Sequence, residues 1–135
     1  MKDIRSDLSY AIALAPVAIA ADTTTVGTNI IDTADYDMGL MVTQFATVTD
    51  GTFTPALLEN TTSTTVGATA IADANLIGTE ATAALTTANT ASTIGINNTK
   101  RYVLYSLVSA STNTGATVGA IFHKKAEIKA AVSTA

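Results

Sequence analysis

The side chains able to do chemistry in this 135-residue chain are few and scattered. His123 is the single histidine, followed by Lys124 and Lys125, and no carboxylate lies close in sequence to orient it as a base or to share a metal. It reads as a surface or interface residue. Asp32, Asp35 and Asp37 form the one acidic cluster, and oxygen-rich loops of that kind hold hard cations. Because the glycine and closing glutamate of a calcium-binding loop are missing, an ordinary acidic turn outweighs a cation site there. No cysteine is present for thiolate or disulfide chemistry, the serines form no nucleophile elbow, and the eight glycines lack phosphate-cradling spacing. The expectation is a protein that is not an enzyme and holds no metal or cofactor.

Composition points the same way. Charged residues make up 13% of the chain, against about 25% in an average globular protein. The formal net charge of -4, with no basic stripe carrying interleaved aromatics, argues against a nucleic-acid partner. Lys124, Lys125 and Lys129 cluster near the C-terminus, but Glu127 interrupts them, which suits a solvated or subunit-contacting tail. A surface of small, Thr-rich character suits a chain packed against other subunits. The length is that of one domain with one core, able to bury about two-thirds of its unfolded surface.

The elements that must position these residues read as short strands and turns. Lys100 to Val108 is the densest apolar run, placing Tyr102, Leu104 and Val108 on one side of a strand and Val103, Tyr105 and Leu107 on the other. Apolar residues on both sides predict a strand covered on both faces. Ser111 to Gly115 then turns the chain into Ala116–Phe122, expected as its antiparallel hairpin partner. Leu40 and Val42, opposed to Met41 and Phe45, mark a second two-sided strand. Asp50-Gly51 reads as a hairpin turn leading into Thr52–Glu59, where Pro55 predicts an edge position or a bulge. Thr93–Ile96 is a further short strand, and the Thr/Ala-rich stretch from Asn60 to Thr99 is otherwise weakly patterned.

The N-terminus imitates a secretory signal, with Lys2 and Arg5 ahead of an apolar run from Tyr10 to Ile19. Asp3 and Asp7 cancel the charge and Pro16 breaks the run, which is also too short for a span of about 20 residues. It is expected to stay in the mature protein as an extended arm, packed on its own body or on a neighbouring chain. The fold class is therefore all-β: an antiparallel β-sandwich, jelly-roll-like or Ig-like, with an extended N-terminal arm. The arm is residues 1–22, the body 23–123 and the C-terminal tail 124–135, and removal of the arm is expected to leave the body folded.

Several strings in order carry a resemblance. Arg5-Ser6-Asp7-Leu8, Ala13-Leu14-Ala15-Pro16, Asp22-Thr23-Thr24-Thr25, Thr49-Asp50-Gly51-Thr52, Leu76-Ile77-Gly78-Thr79-Glu80 and Lys100-Arg101-Tyr102-Val103 together resemble the capsid decoration, or cement, proteins of tailed bacteriophages. The resemblance runs nearly end to end, although Glu59-Asn60-Thr61-Thr62-Ser63 stands where the family carries a more acidic segment. It implies a virion protein made in the host cytoplasm and bound to the capsid surface, with the major capsid protein as partner. A homo-oligomer, trimer or dimer, is implied too, with neither nucleic acid nor membrane as a partner. The contact residues expected are Ile4, Arg5, Leu8, Tyr10, Ile12, Leu14 and Pro16 of the arm, with Lys124 and Lys125 of the tail. A phage tail or fibre component, or a secreted β-sandwich adhesin, is the alternative.

Overall fold

The computed structural model describes residues 8–34, 36, 38–80, 84–97 and 99–125. These form β1 (Leu8–Ile19), β2 (Thr24–Val26), β3 (Ile31–Asp32), β4 (Met38–Val48), β5 (Thr52–Asn60), β6 (Thr69–Ala70), β7 (Leu76–Ile77), β8 (Ala91–Ile96), β9 (Tyr102–Ala110) and β10 (Ala116–Lys125). A single 3-10 turn at Asp73–Asn75 precedes β7.

The strands lie in two sheets. Sheet A has the order β1-β10-β4-β8-β7, and sheet B the order β2-β9-β5-β6, with β3 also on β9. One rule generates both: β1 pairs with β10, β2 with β9, β4 with β8 and β5 with β6, all antiparallel, like one long hairpin read from its open end to its tip. Rolling that hairpin up brings β10 beside β4 and β9 beside β5. This is the jelly-roll order, and it decides between the two sandwich types expected.

Alternation along each strand fills the space between the sheets. Ala13, Leu14, Met41, Phe45, Ile94, Ile96, Val118 and Phe122 come from sheet A, and Phe53, Leu57, Val103, Tyr105 and Leu107 from sheet B, all buried. The Phe45 and Phe53 rings meet across the layers at 5.3 Å between centroids, tilted by 52°. Tyr105 and Thr43 share a buried hydrogen bond of 2.9 Å that crosses from one sheet to the other. Burial pushes the Tyr105 phenol well above its ordinary range, so it stays neutral.

Four expectations change. Both supposed hairpins are corners: Asp50-Gly51 carries the chain from β4 in sheet A to β5 in sheet B, and Ser111–Gly115 carries it from β9 in sheet B to β10 in sheet A. Gly51 (φ +98°) and Gly115 (φ +82°) do adopt the left-handed conformation, and Gly115 lies against the Ile19 carbonyl with no room for a Cβ. The turn chemistry was legible, but pairing is decided by partners far away in sequence. Within the arm, residues 8–19 pack on their own body as β1, with Ala13, Leu14 and Ile19 in the core. Removing them would strip the core, so the expected boundary at residue 22 does not hold and the body begins at β1. Lys124 and Lys125 end β10 rather than open a tail. β9 is central in sheet B and its Leu104 is buried, but Val108 on the same face is exposed, so that face is covered only in part.

Pro55 shows why its strand tolerates it. The Phe53 N–H donates to the Leu85 carbonyl and the Leu57 N–H to Glu80 Oε1 at 2.6 Å, both on the side away from β9. The missing N–H of Pro55 falls between them, where β6 does not reach, since it pairs only with Leu58 and Glu59.

Candidate functional site

The outer face of sheet A is built by the residues that alternate with its core positions. Strand register sets them in rows: Tyr10, His123, Leu40, Gly95 and Ile77 lie side by side, followed by Ile12, Ile121, Val42 and Thr93. Met38 stands one row before them on β4. Tyr10 is 72% exposed, Ile77 78%, Met38 52%, Ile12 49% and Leu40 39%. A sandwich sheet with a wet outer face reads hydrophobic-in and polar-out, and this one instead reads apolar on both sides. None of the described side chains in these rows is Asp, Glu, Lys or Arg. At about 4.8 Å between strands and about 6.6 Å between same-face residues, these ten positions cover roughly 300 Å².

A groove of about 320 Å³ opens at one end of this face, lined by Ile12, Leu14, Pro16, Gln44, Thr117 and Gly119 among others. Its cause is local. β1 shifts register against β10 between Ile12 and Leu14 and again between Leu14 and Val17, and β10 shifts against β4 between Ala116 and Val118. The bulged strand bows outward over Gly119, which has no side chain to fill the space beneath Pro16. A flat apolar face ending in an apolar hollow is suited to adhesion to another macromolecular surface.

The charged groups are engaged elsewhere. Asp32 accepts two hydrogen bonds from Arg101, at 2.9 and 2.8 Å, and this pairing, more than the Ala34 N–H, lowers its carboxyl to a pKa of about 2. Asp50 accepts the backbone N–H groups of Gly115, Thr114 and Asn113, which hold its carboxyl below the usual range. Asp22 takes the neighbouring Thr112 N–H at 2.7 Å, so two carboxylates clasp the corner between β9 and β10. Glu59, 5% exposed, accepts the N–H groups of Thr99 and Lys100 and the Thr99 hydroxyl, fixing the approach to β9. Each of these carboxylates serves a turn or a corner. Among the described residues no group of three His, Cys, Asp or Glu is placed to hold a metal ion, and no helix is long and apolar enough to cross a membrane.

Of the expected contact residues, Tyr10 and Ile12 lie on the apolar face, Pro16 lines the groove, and Leu14 is buried beneath it. Lys124 is turned to the end of the sandwich, donating to the Asp32 carbonyl at 3.1 Å with its ammonium 4.8 Å from the Tyr36 ring centroid. Leu8 and Lys125 are paired backbone to backbone at the ends of β1 and β10. Ile4 and Arg5, like Asp35 and Asp37, lie outside the described residues. His123 sits half-buried in the apolar face, 6.1 Å from Tyr10 between ring centroids. Sequence reasoning missed Met38, Ile77 and Ile121; the signal was the two-sided pattern of β4, which placed Leu40 and Val42 together.

The chain matches no family model and no curated protein. Among solved structures it is similar to a chain of the Bacillus endospore appendages, a novel family of disulfide-linked pili, with 10% identity, a TM-score of 0.46 and 88% of each chain covered. It is also similar to a chain of infectious bursal disease virus, Gx strain, with 14% identity, a TM-score of 0.47, and coverage of 90% of this chain and 32% of that one. This chain spans about a third of the viral chain. Having no cysteine, it contains no disulfide.

Proposed function

We propose that this chain is a virion structural protein that binds the outside of a tailed-phage capsid and stabilises the shell by bridging neighbouring capsomers. The observation that carries this reading is the apolar face of sheet A, where Tyr10, Ile12, Leu40 and Ile77 stand exposed in two rows without Asp, Glu, Lys or Arg. A capsid repeats each site many times over its lattice. Contacts of modest area then hold firmly through effective concentration, and adhesion rather than a reaction is the protein's work. The ordered strings that resemble those of decoration proteins support the same reading. The jelly roll is compatible with it, since that architecture recurs in viral capsid domains, although it also serves lectins and cupins.

A cryo-EM reconstruction of a virion carrying this chain tests the proposal. It is expected to show the sandwich on the capsid exterior at capsomer junctions, with sheet A turned toward the shell. Density in the tail or fibres would overturn it in favour of the alternative structural role.

A further inference from the structure

Sheet edges invite other strands, and this molecule blunts nearly all of its own. β7 and β6 have two residues each and β2 has three, so the sheets taper at those sides. β1 is different, an edge strand of 12 residues. From Ile12 onward that edge is plugged: Asn29 Nδ2 donates to the Ile12 carbonyl at 3.0 Å, and the Ala15 N–H donates to Thr28 Oγ1 at 2.9 Å. The bulges and Pro16 follow. Residues Leu8 to Ala11 carry no such device, having no Pro, Gly or charged residue and no described neighbour on their outer side.

The Ile12 carbonyl points away from β10, and strand alternation aims the backbone groups of Tyr10 and Leu8 the same way. Leu8 and Tyr10 thus present N–H and C=O groups in ladder spacing, and Ile12 adds its N–H, its carbonyl being held by Asn29. The stretch is self-complementary. An antiparallel copy centred on Tyr10 sets Tyr10 against Tyr10, Leu8 against Ile12 and Ser9 against Ala11, with about four ladder hydrogen bonds while each Ile12 carbonyl stays with Asn29, and with no like charges opposed.

We infer that this open half of β1 pairs with the same segment of a second copy, joining two A sheets edge to edge about a two-fold axis at Tyr10. Such a contact is isologous, so it consumes both open edges and closes as a dimer instead of growing into a fibre. Register explains why a second copy is the fitting occupant, because Leu8 to Ile12 is its own antiparallel complement and leaves no charge opposed. Joining the edges also makes two apolar faces of roughly 300 Å² continuous. The inference is independent of which surface that joined face then meets.

Because the protein has no cysteine, a lone one introduced at Tyr10 reports the register directly. Residues in a hydrogen-bonded antiparallel pair stand about 5.5 Å apart at Cα, within disulfide reach. Under mild copper-phenanthroline oxidation, full-length Tyr10→Cys should cross-link to dimer at high yield, with Thr24→Cys on the short β2 edge as the poorly linking control. By sedimentation equilibrium, wild type should dimerise. Tyr10→Pro, whose lost N–H faces the open edge and leaves the β10 ladder intact, should weaken dimerisation at least tenfold. Tyr10→Lys, which places a charge on the edge, should do the same and covers the case in which the proline variant fails to fold. A wild type monomeric up to millimolar concentration, or a Tyr10→Cys that links no better than Thr24→Cys, would overturn the inference.

Discussion

Sheets A and B share one core but differ in what they turn outward. The outer face of sheet B carries Thr24, Thr52, Thr54, Ala56 and Ser106 with Val26 and Val108 among them at one end, and Leu58, Leu104 and Tyr102 at the other, so its exposed large apolar groups are fewer and are interrupted by small polar ones. Its margins are tied by polar contacts: Glu59 to Thr99 and Lys100, Asp32 to Arg101, and the Ser109 hydroxyl to the Ala21 carbonyl. Sheet A is held by its apolar inner face and bears Tyr, Ile, Leu and Met on its outer one. The difference teaches that sheet A carries a second apolar face, with Tyr10, Met38, Ile12 and Ile77 left largely uncovered by the single chain. Its cost in exposed apolar surface is met only when another surface covers it.

The severest way to break the comparison is to delete residues 1–19. This removes β1 with Ala13, Leu14 and Ile19 from the shared core and uncovers β10, so both sheets should fail together. Loss of the cooperative thermal transition by circular dichroism is expected; a truncated protein that melts normally would show that sheet A does not need β1.

Next in size is Glu59→Ala, which removes the acceptor for two backbone N–H groups at a site 5% exposed. Stranding hydrogen-bond donors on this scale costs about 3 kcal/mol, which in a chain of this length lowers Tm by about 10 °C. A melt shifted by less than a few degrees would mean that the margin of sheet B is not held this way.

Acid should lower the stability of the whole sandwich through the carboxylates that tie its margins. Asp32 has a lowered folded pKa, so its contribution is fully present above the ordinary carboxylate value of 3.8 and fades as pH falls through about 2. Asp50, lowered by the three N–H groups of the β9–β10 corner, acts in the same direction. Denaturant melts between pH 5 and pH 2 should show falling stability, and Asp32→Asn should flatten the slope. An unchanged slope would separate the ion pair from acid stability.

The smallest effect on stability is expected from Gly119→Ala. A Cβ there meets its nearest neighbours at 3.5 Å and the backbone needs no special conformation, so the variant should gain a few tenths of a kcal/mol while narrowing the groove. Destabilisation beyond about 1 kcal/mol would mean that the hollow beneath Pro16 is tighter than described.

Much of this architecture was legible in the residues. Val103, Tyr105 and Leu107, and Met41 with Phe45, alternate as strands must, and the glycines at 51 and 115 marked true reversals of the chain. Sheet membership was not legible, because a two-residue turn specifies that the chain turns and not whether the next strand pairs beside it or crosses the core. β2, β6 and β7 were hidden because two or three residues carry no periodicity, and pairing holds them in place: the Thr23 N–H reaches the Ser109 hydroxyl at 3.0 Å just before β2. The binding face was half visible. Tyr10, Ile12 and Pro16 stood out near the N-terminus, whereas Ile77 and Ile121 join them only through the order β1-β10-β4-β8-β7.

The central claim is that sheet A, and not sheet B, is the adhesive side. Its direct test is co-sedimentation with capsids prepared without this protein, comparing Ile12→Glu/Leu40→Glu on sheet A with Thr54→Glu on sheet B. All of these substitute exposed or half-buried outer residues and should shift stability by no more than about 0.5 kcal/mol each. The account predicts that the sheet A variant stays folded but ceases to pellet with the shell, while the sheet B variant pellets like wild type. Equal pelleting by both, or loss confined to Thr54→Glu, would contradict it.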